Sequence, residues 1–144
     1  MALQVMVAED STLVQQAVRE LLEAADCSVV GQAYDGEEAV RLADRSEPDV
    51  VILDYYMPRL NGVGAARAIR RSHPALPLIM LTLSATEYQI AAAFAAGIRG
   101  YVLKSDAADD LVRAIHEVTR GATFVSPAAS RALCAPYLSG PEPH

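Results

Sequence analysis

Five side chains in this sequence have the types and placement to act together on a phosphoryl group: Glu9 and Asp10, Asp54, Thr82 and Lys104. Each follows or closes a short apolar run. Leu3 to Ala8 precedes the acidic pair, Val50-Val51-Ile52-Leu53 precedes Asp54, Leu78 to Leu81 precedes Thr82, and Gly100 to Leu103 precedes Lys104. A hard divalent cation such as Mg²⁺ takes oxygen ligands, commonly one or two carboxylates completed by water and phosphate oxygens. Carboxylates also serve as nucleophiles that form covalent phosphoryl intermediates, and Asp54, after the most apolar run, is the candidate. Such transfer needs positioning and charge neutralisation, which a metal ion, the Lys104 ammonium and the Thr82 hydroxyl supply. Singly, each residue has a plainer reading: an acid after a strand is commonly a helix cap, and a lone Lys or Thr a surface group. Their joint placement is what argues for a site.

That placement requires an open parallel α/β sheet, in which ligands bind beyond the carboxyl ends of the strands. The chain alternates short apolar runs with helical patterns, as such a sheet demands. Strands are expected at Leu3 to Ala8, Ser28 to Ala33, Val50 to Leu53, Leu78 to Thr82 and Gly100 to Lys104. Helices are expected from Thr12, opened by a capping box of Thr12 and Gln15, then at Glu37 to Ser46, from Asn61 to about Ser72, at Thr86 to Ala96, and from about Ala107 to Arg120. Gly97 and Gly121 stop the last two. This gives five βα units over residues 1–121 as one domain. Residues 122–144 read as a linker or tail, with Pro127 able to begin a short helix. Ile90 to Ala96 carries no charge on any side, which fits either a docking face or simply good helix formers.

The chain has 144 residues, 52% hydrophobic and 21% charged, the balance of a globular domain. Its net charge of −6 disfavours direct binding to nucleic acid. Cys27 and Cys134 form no CxxC pair and read as small apolar residues in a reducing compartment. With no apolar run of membrane-spanning length and no signal-peptide pattern, the expected location is the cytoplasm, away from membranes. Gly62-Val63-Gly64 lacks the third glycine of a dinucleotide fingerprint, no GxxxxGK[ST] loop is present, and the histidines have no metal spacing. Arg59, Arg67, Arg70 and Arg71 read as a solvated basic face.

The pieces Glu9-Asp10, Asp54-Tyr55-Tyr56-Met57-Pro58, Gly62, Thr82 and Gly100-Tyr101-Val102-Leu103-Lys104 closely resemble the receiver family of two-component response regulators, over residues 3–121. The resemblance implies a flavodoxin-like, doubly wound, five-stranded parallel sheet of order 2-1-3-4-5 with five helices. It implies a signalling switch in which Asp54 accepts a phosphoryl group from a histidine kinase. Asp10 and Asp54 would bind Mg²⁺ directly, Glu9 through water, and Tyr56 by its backbone carbonyl. Thr82 and Lys104 would contact the phosphoryl oxygens, and Tyr101 would be the switch aromatic that turns inward with Thr82. The closing segment, with Phe124-Val125-Ser126-Pro127, is most similar to receivers that precede a LuxR-type helix-turn-helix domain. A DNA-binding domain of that type is expected to be missing from this segment, and the output to be transcription. A homodimer is expected, through the fourth helix, fifth strand and fifth helix or through the first and fifth helices.

Three positions depart from the family pattern: Leu83, which could narrow access to the site; Tyr56, which could shield the acyl phosphate from water; and Ser105, where proline is frequent and the preceding bond could be cis or trans. Two other readings compete with the switch. A pseudo-receiver would bind partners without phosphorylation, but ought to have lost one of Asp10, Asp54, Thr82 and Lys104. A Mg²⁺-dependent phosphohydrolase would need an acid where Tyr56 stands.

Overall fold

The computed structural model describes residues 2–138, the side chains of 133–138 excepted, so the reading made for the Cys134 side chain and the last residues of the expected tail, 139–144, lie outside it. Elements follow in the order β1 (Gln4–Ala8), α1 (Thr12–Ala24), β2 (Ser28–Ala33), α2 (Gly36–Ser46), β3 (Val50–Leu53), α3 (Gly62–Ser72), β4 (Leu78–Thr82), α4 (Glu87–Ala95), β5 (Gly100–Leu103), α5 (Ala107–Thr119), β6 (Phe124–Val125) and α6 (Pro127–Leu138). The strands form one parallel sheet of order β2-β1-β3-β4-β5-β6.

Strand alternation divides the core in two. Val5, Val7, Val50, Ile52, Ile79, Leu81 and Val102 face α1 and α5, and meet Val18, Leu22, Leu111 and Ile115. Met6, Ala8, Val51, Leu53, Met80 and Tyr101 face the other side, and meet Ala39, Ala66, Ile69, Ile90 and Ala93 of α2, α3 and α4. Every side chain of β3 is buried, so both faces of the central strand are covered and its sequence is apolar throughout. Polar groups can then emerge only beyond the strand ends, which is where the chemistry-bearing residues fall.

The order of the first five strands is as expected, and a sixth strand and a sixth helix are additional. Residues 122–138, expected as linker or tail in which Pro127 could begin a short helix, hold both, and the helix does begin at Pro127. Gly100 pairs with Phe124 and Tyr101 with Val125. The buried Ser126 donates its N–H to Tyr101 O (2.9 Å), and its Oγ accepts from Leu103 N (3.4 Å). From there α6 packs on β5 and α4, with Ala129 fully buried. Coverage accounts for part of the apolar character of Ile90 to Ala96: α4 packs on the sheet side and against α6, burying Ile90, Ala93 and Ala96, while Ala91 and Ala95 stay exposed.

Two local expectations fail. The cap of α1 is Ser11, whose Oγ accepts from Val14 N (3.3 Å), and not Thr12. Gln15 is released from capping and lies buried, with Nε2 directed at Val7 O (3.0 Å), Glu9 O (3.2 Å) and Ala33 O (2.8 Å). It satisfies carbonyls where β1 and β2 end, a need that exists only once the two strands are paired. The second is Lys104, which leaves β5 and opens a 3-10 turn over Lys104–Asp106. The Lys104–Ser105 bond is trans, as are all peptide bonds among the described residues.

Candidate functional site

The carboxyl ends of β1 and β3 lie side by side because Ala8 pairs with Leu53, and Asp54 N donates to Ala8 O at 3.0 Å. Glu9, Asp10 and Asp54 each offer a carboxylate oxygen within 4.8 Å of the others. Glu9 (3% exposed) and Asp54 (6%) are buried, and Asp10 opens to solvent. Two strands further along the sheet, Lys104 brings its Nζ to 2.6 Å from Glu9 Oε1 and 3.3 Å from Asp54 Oδ2. Its approach to Glu9 Oε1 falls outside hydrogen-bond angles, so the contact is an ion pair that leaves this buried oxygen without a directed donor. Glu9 Oε2 accepts from Ser11 N at 2.9 Å.

Three acids facing one ammonium leave an excess of negative charge, which sets the direction of the pKa shifts here. Asp10 is held above the ordinary carboxylate range by hydrogen bonding with Glu9, by partial desolvation and by repulsion from the Glu9 charge. Burial works against the charge on Lys104, but the Glu9 and Asp54 carboxylates outweigh it and the ammonium is held above its usual value. Three carboxylates converging within reach of one another, with a surplus of negative charge over the single ammonium, suit a divalent cation that prefers oxygen.

Thr82 ends β4 fully buried, and its Oγ1 has no hydrogen-bond partner among the described residues. Thr82 pairs with Leu103, which sets the hydroxyl and the Lys104 stem on neighbouring strand ends. Tyr101, one residue into β5, is fully buried and donates its Oη to Ser84 O at 2.7 Å; burial raises its pKa. The expected switch aromatic therefore grips the loop between β4 and α4. The segment after Asp54 is shaped by Gly62: its N–H donates to Tyr55 O (2.8 Å), and a Cβ there would stand 2.2 Å from Asp54 O. Only a residue without a side chain allows α3 to start so close to the acid.

The candidate site residues Glu9, Asp10, Asp54, Thr82 and Lys104 thus gather at one end of the sheet. Of the basic group, Arg59 ion-pairs with Asp35 at 2.8 Å, whereas Arg67, Arg70 and Arg71 are exposed on α3. Leu83 is 80% exposed. Tyr56 is 59% exposed, and its Oη accepts from Gln89 Nε2 at 2.6 Å. Sequence reasoning missed Gln15, Ser84, Gln89 and Ser126. A buried polar residue carries no periodic signal, and its partners come from elements distant in the chain. Among the described residues no helix is long and apolar enough to cross a membrane.

Residues 5–116 match the family described as the response regulator receiver domain. Among curated relatives, the uncharacterised transcriptional regulatory protein YxjL of Bacillus subtilis is 32% identical over 99% of this chain and 66% of its own length. The nitrate/nitrite response regulator NarL of Escherichia coli is 30% identical over 91% of this chain and 61% of its own. The chain spans about three fifths of the length of such relatives, for example 58% of YdfI from Bacillus subtilis. Among solved structures, a LuxR-family two-component response regulator from Aurantimonas sp. SI85-9A1 superposes with a TM-score of 0.90 at 30% identity, covering 96% of this chain and 99% of that one. The isolated receiver domain of RcsB from Salmonella enterica, determined with the phosphomimetic BeF3−, gives 0.84 at 28% identity over 92% of this chain and 99% of that one.

Proposed function

The chain belongs to the response regulator receiver family, and from that premise we propose that it is a phosphorylation switch with Asp54 as the phospho-acceptor and a histidine kinase as the donor. Receiver domains of this family are two-component signalling switches rather than enzymes, and they bind Mg²⁺ at an acidic cluster. The observation that carries the reading is the convergence of Glu9, Asp10 and Asp54 oxygens within 4.8 Å, with Lys104 bridging Glu9 and Asp54.

The residues divide the work. An Asp54 carboxylate oxygen attacks the phosphorus, a P–O bond forms, and the bond to the donor breaks with its electron pair leaving on the donor atom. Lys104 and the unpartnered Thr82 hydroxyl take up oxygens of the arriving phosphoryl group, offsetting its charge. Asp10 and Asp54, with Glu9 and the Tyr56 carbonyl, would hold Mg²⁺, which when bound supplies charge neutralisation at those oxygens. If Thr82 moves toward the phosphoryl group, the loop after it, which Tyr101 holds through Ser84, is the segment that would register the movement.

Of the two faces expected for a homodimer, the one at α4, β5 and α5 is partly taken by the chain's own β6 and α6. Between α1 and α5, in contrast, an apolar groove of about 430 Å³ stays open, lined by Leu13, Val14, Leu21, Leu81 and Ala107, with Lys104 at its wall. These features support dimerisation through α1 and α5. The names of relatives such as YxjL and YdfI, transcriptional regulatory proteins, support transcription as the output.

Incubation with acetyl phosphate and Mg²⁺, followed by intact mass, tests the reading. A switch gives a stable gain of one phosphoryl group that Asp54→Asn abolishes. No gain would establish a phosphorylation-independent module, and turnover without accumulation a phosphohydrolase.

A further inference from the structure

Tyr56 is tethered from outside the site. A ring that is 59% exposed would ordinarily exchange between rotamers. Its Oη instead lies 2.6 Å from Nε2 of Gln89, a residue on the first turn of α4 that is only 9% exposed. The other end of that amide is committed, because Oε1 accepts from Thr86 N at 3.0 Å while Thr86 Oγ1 accepts from Gln89 N at 3.1 Å. A backbone N–H can only donate, so the amide oxygen must face Thr86 and the NH₂ must face Tyr56. Gln89 therefore donates, Tyr56 Oη accepts, and the phenol proton stays available for a second acceptor.

The anchor is itself fixed. Tyr101 holds Ser84 O, two residues before Thr86, so the start of α4 is tied to the sheet while Gln89 ties Tyr56 to α4. On its other side the Tyr56 ring leans on Tyr55, with centroids 4.9 Å apart at 46°. Backbone, ring and hydroxyl are thus each constrained within two residues of Asp54.

We propose that Gln89 is a positioning residue of the phosphorylation site: its hydrogen bond holds the Tyr56 ring beside Asp54 and slows hydrolysis of the phosphoryl group. The inference rests on Asp54 being the phospho-acceptor. Water must approach phosphorus opposite the Asp54 oxygen to cleave the acyl phosphate, and a ring that cannot swing away keeps the neighbouring space closed to it.

The test labels the full chain with acetyl phosphate and Mg²⁺, removes the donor, and follows phosphoryl loss by intact mass. Gln89→Met and Tyr56→Phe each speed the loss about fivefold, the rate equivalent of one neutral hydrogen bond. The double variant loses its phosphoryl group no faster than either single one, because both remove the same bond. Gln89→Glu keeps the slow rate, since its carboxylate still accepts from Thr86 N and can accept the Tyr56 phenol proton. A purely structural role for Gln89 would lower the melting temperature of Gln89→Met without this coupling. Should that variant fold poorly, Tyr56→Phe, altered in an exposed residue, still decides. Lifetimes unchanged in Tyr56→Phe or Gln89→Met, or effects that multiply in the double variant, overturn the inference. Wild-type protein that gains no phosphoryl mass overturns both the reading of Asp54 and this one; wild type that gains it and matches Gln89→Met in lifetime overturns this one alone.

Discussion

Gly62→Ala, compared with Gly64→Ala, isolates the close approach that shapes the site. Both glycines lie in the first turn of α3, so each alanine gains about 0.5–1 kcal/mol from reduced backbone entropy. They differ in what a Cβ would meet. At Gly62 it would stand 2.2 Å from Asp54 O, and 3.0 Å from Asp54 C and Tyr55 Cα, all backbone that cannot rotate away. At Gly64 it would meet Leu60 Cδ1 at 2.6 Å, the end of a side chain free to change rotamer. Overpacking against fixed atoms costs about 1–3 kcal/mol. An overlap this deep belongs at the upper end, so Gly62→Ala is expected to be about 2 kcal/mol less stable than Gly64→Ala. For a domain of this size the difference is about 5–8 °C in melting temperature, read by circular dichroism. Relief of the clash must push Asp54 O or the Tyr55–Tyr56 segment outward, so phosphoryl uptake from acetyl phosphate also slows in Gly62→Ala and not in Gly64→Ala. Two variants melting within about 1 °C of each other would refute the steric reasoning.

Three further outcomes are expected. Tyr101→Phe keeps the buried ring but leaves Ser84 O without its donor, and should cost about 1–2 kcal/mol in urea unfolding; an unchanged midpoint would mean that water replaces the phenol. Lys104→Met leaves Glu9, Asp10 and Asp54 uncompensated. It should lower stability by about 2 kcal/mol without metal, and added Mg²⁺ should raise its melting temperature more than that of wild type; an equal rise in both would count against the acidic cluster as the metal site. Asp35 caps α2 through Glu38 N (2.8 Å) and pairs with Arg59, and the backbone bond, then the arginine, hold its carboxyl below the ordinary value of 3.8. A depressed folded pKa contributes stability that is present above 3.8 and lost as pH falls through the lower folded value. Asp35→Asn should therefore flatten the acid limb of the stability profile below that pH, and an unaltered limb would exclude Asp35 as its source.

What could be read from sequence follows from where local and global requirements agree. Val50 to Leu53 is apolar because both faces of β3 are covered, and the helices expected from Asn61 and from Thr86 do open at those residues, each of which caps its helix. Glu9, Asp10, Asp54, Thr82 and Lys104 were recognisable because a parallel sheet brings its carboxyl ends to one edge, whatever the loops between them. Each such signal lies within one element and its immediate neighbours. Other features depend on pairs of elements far apart in the chain. Whether Ser11 or Thr12 caps α1, and what Gln15 does, depends on carbonyls left open where β1 meets β2. That β6 and α6 cover one flank of β5 could not be seen in Phe124-Val125, since two residues carry no period. The bond from Gln89 to Tyr56 joins residues 33 positions apart. Side-chain type and spacing declare which groups could do chemistry, but the direction of a buried amide is decided only by the donors and acceptors that tertiary packing sets around it.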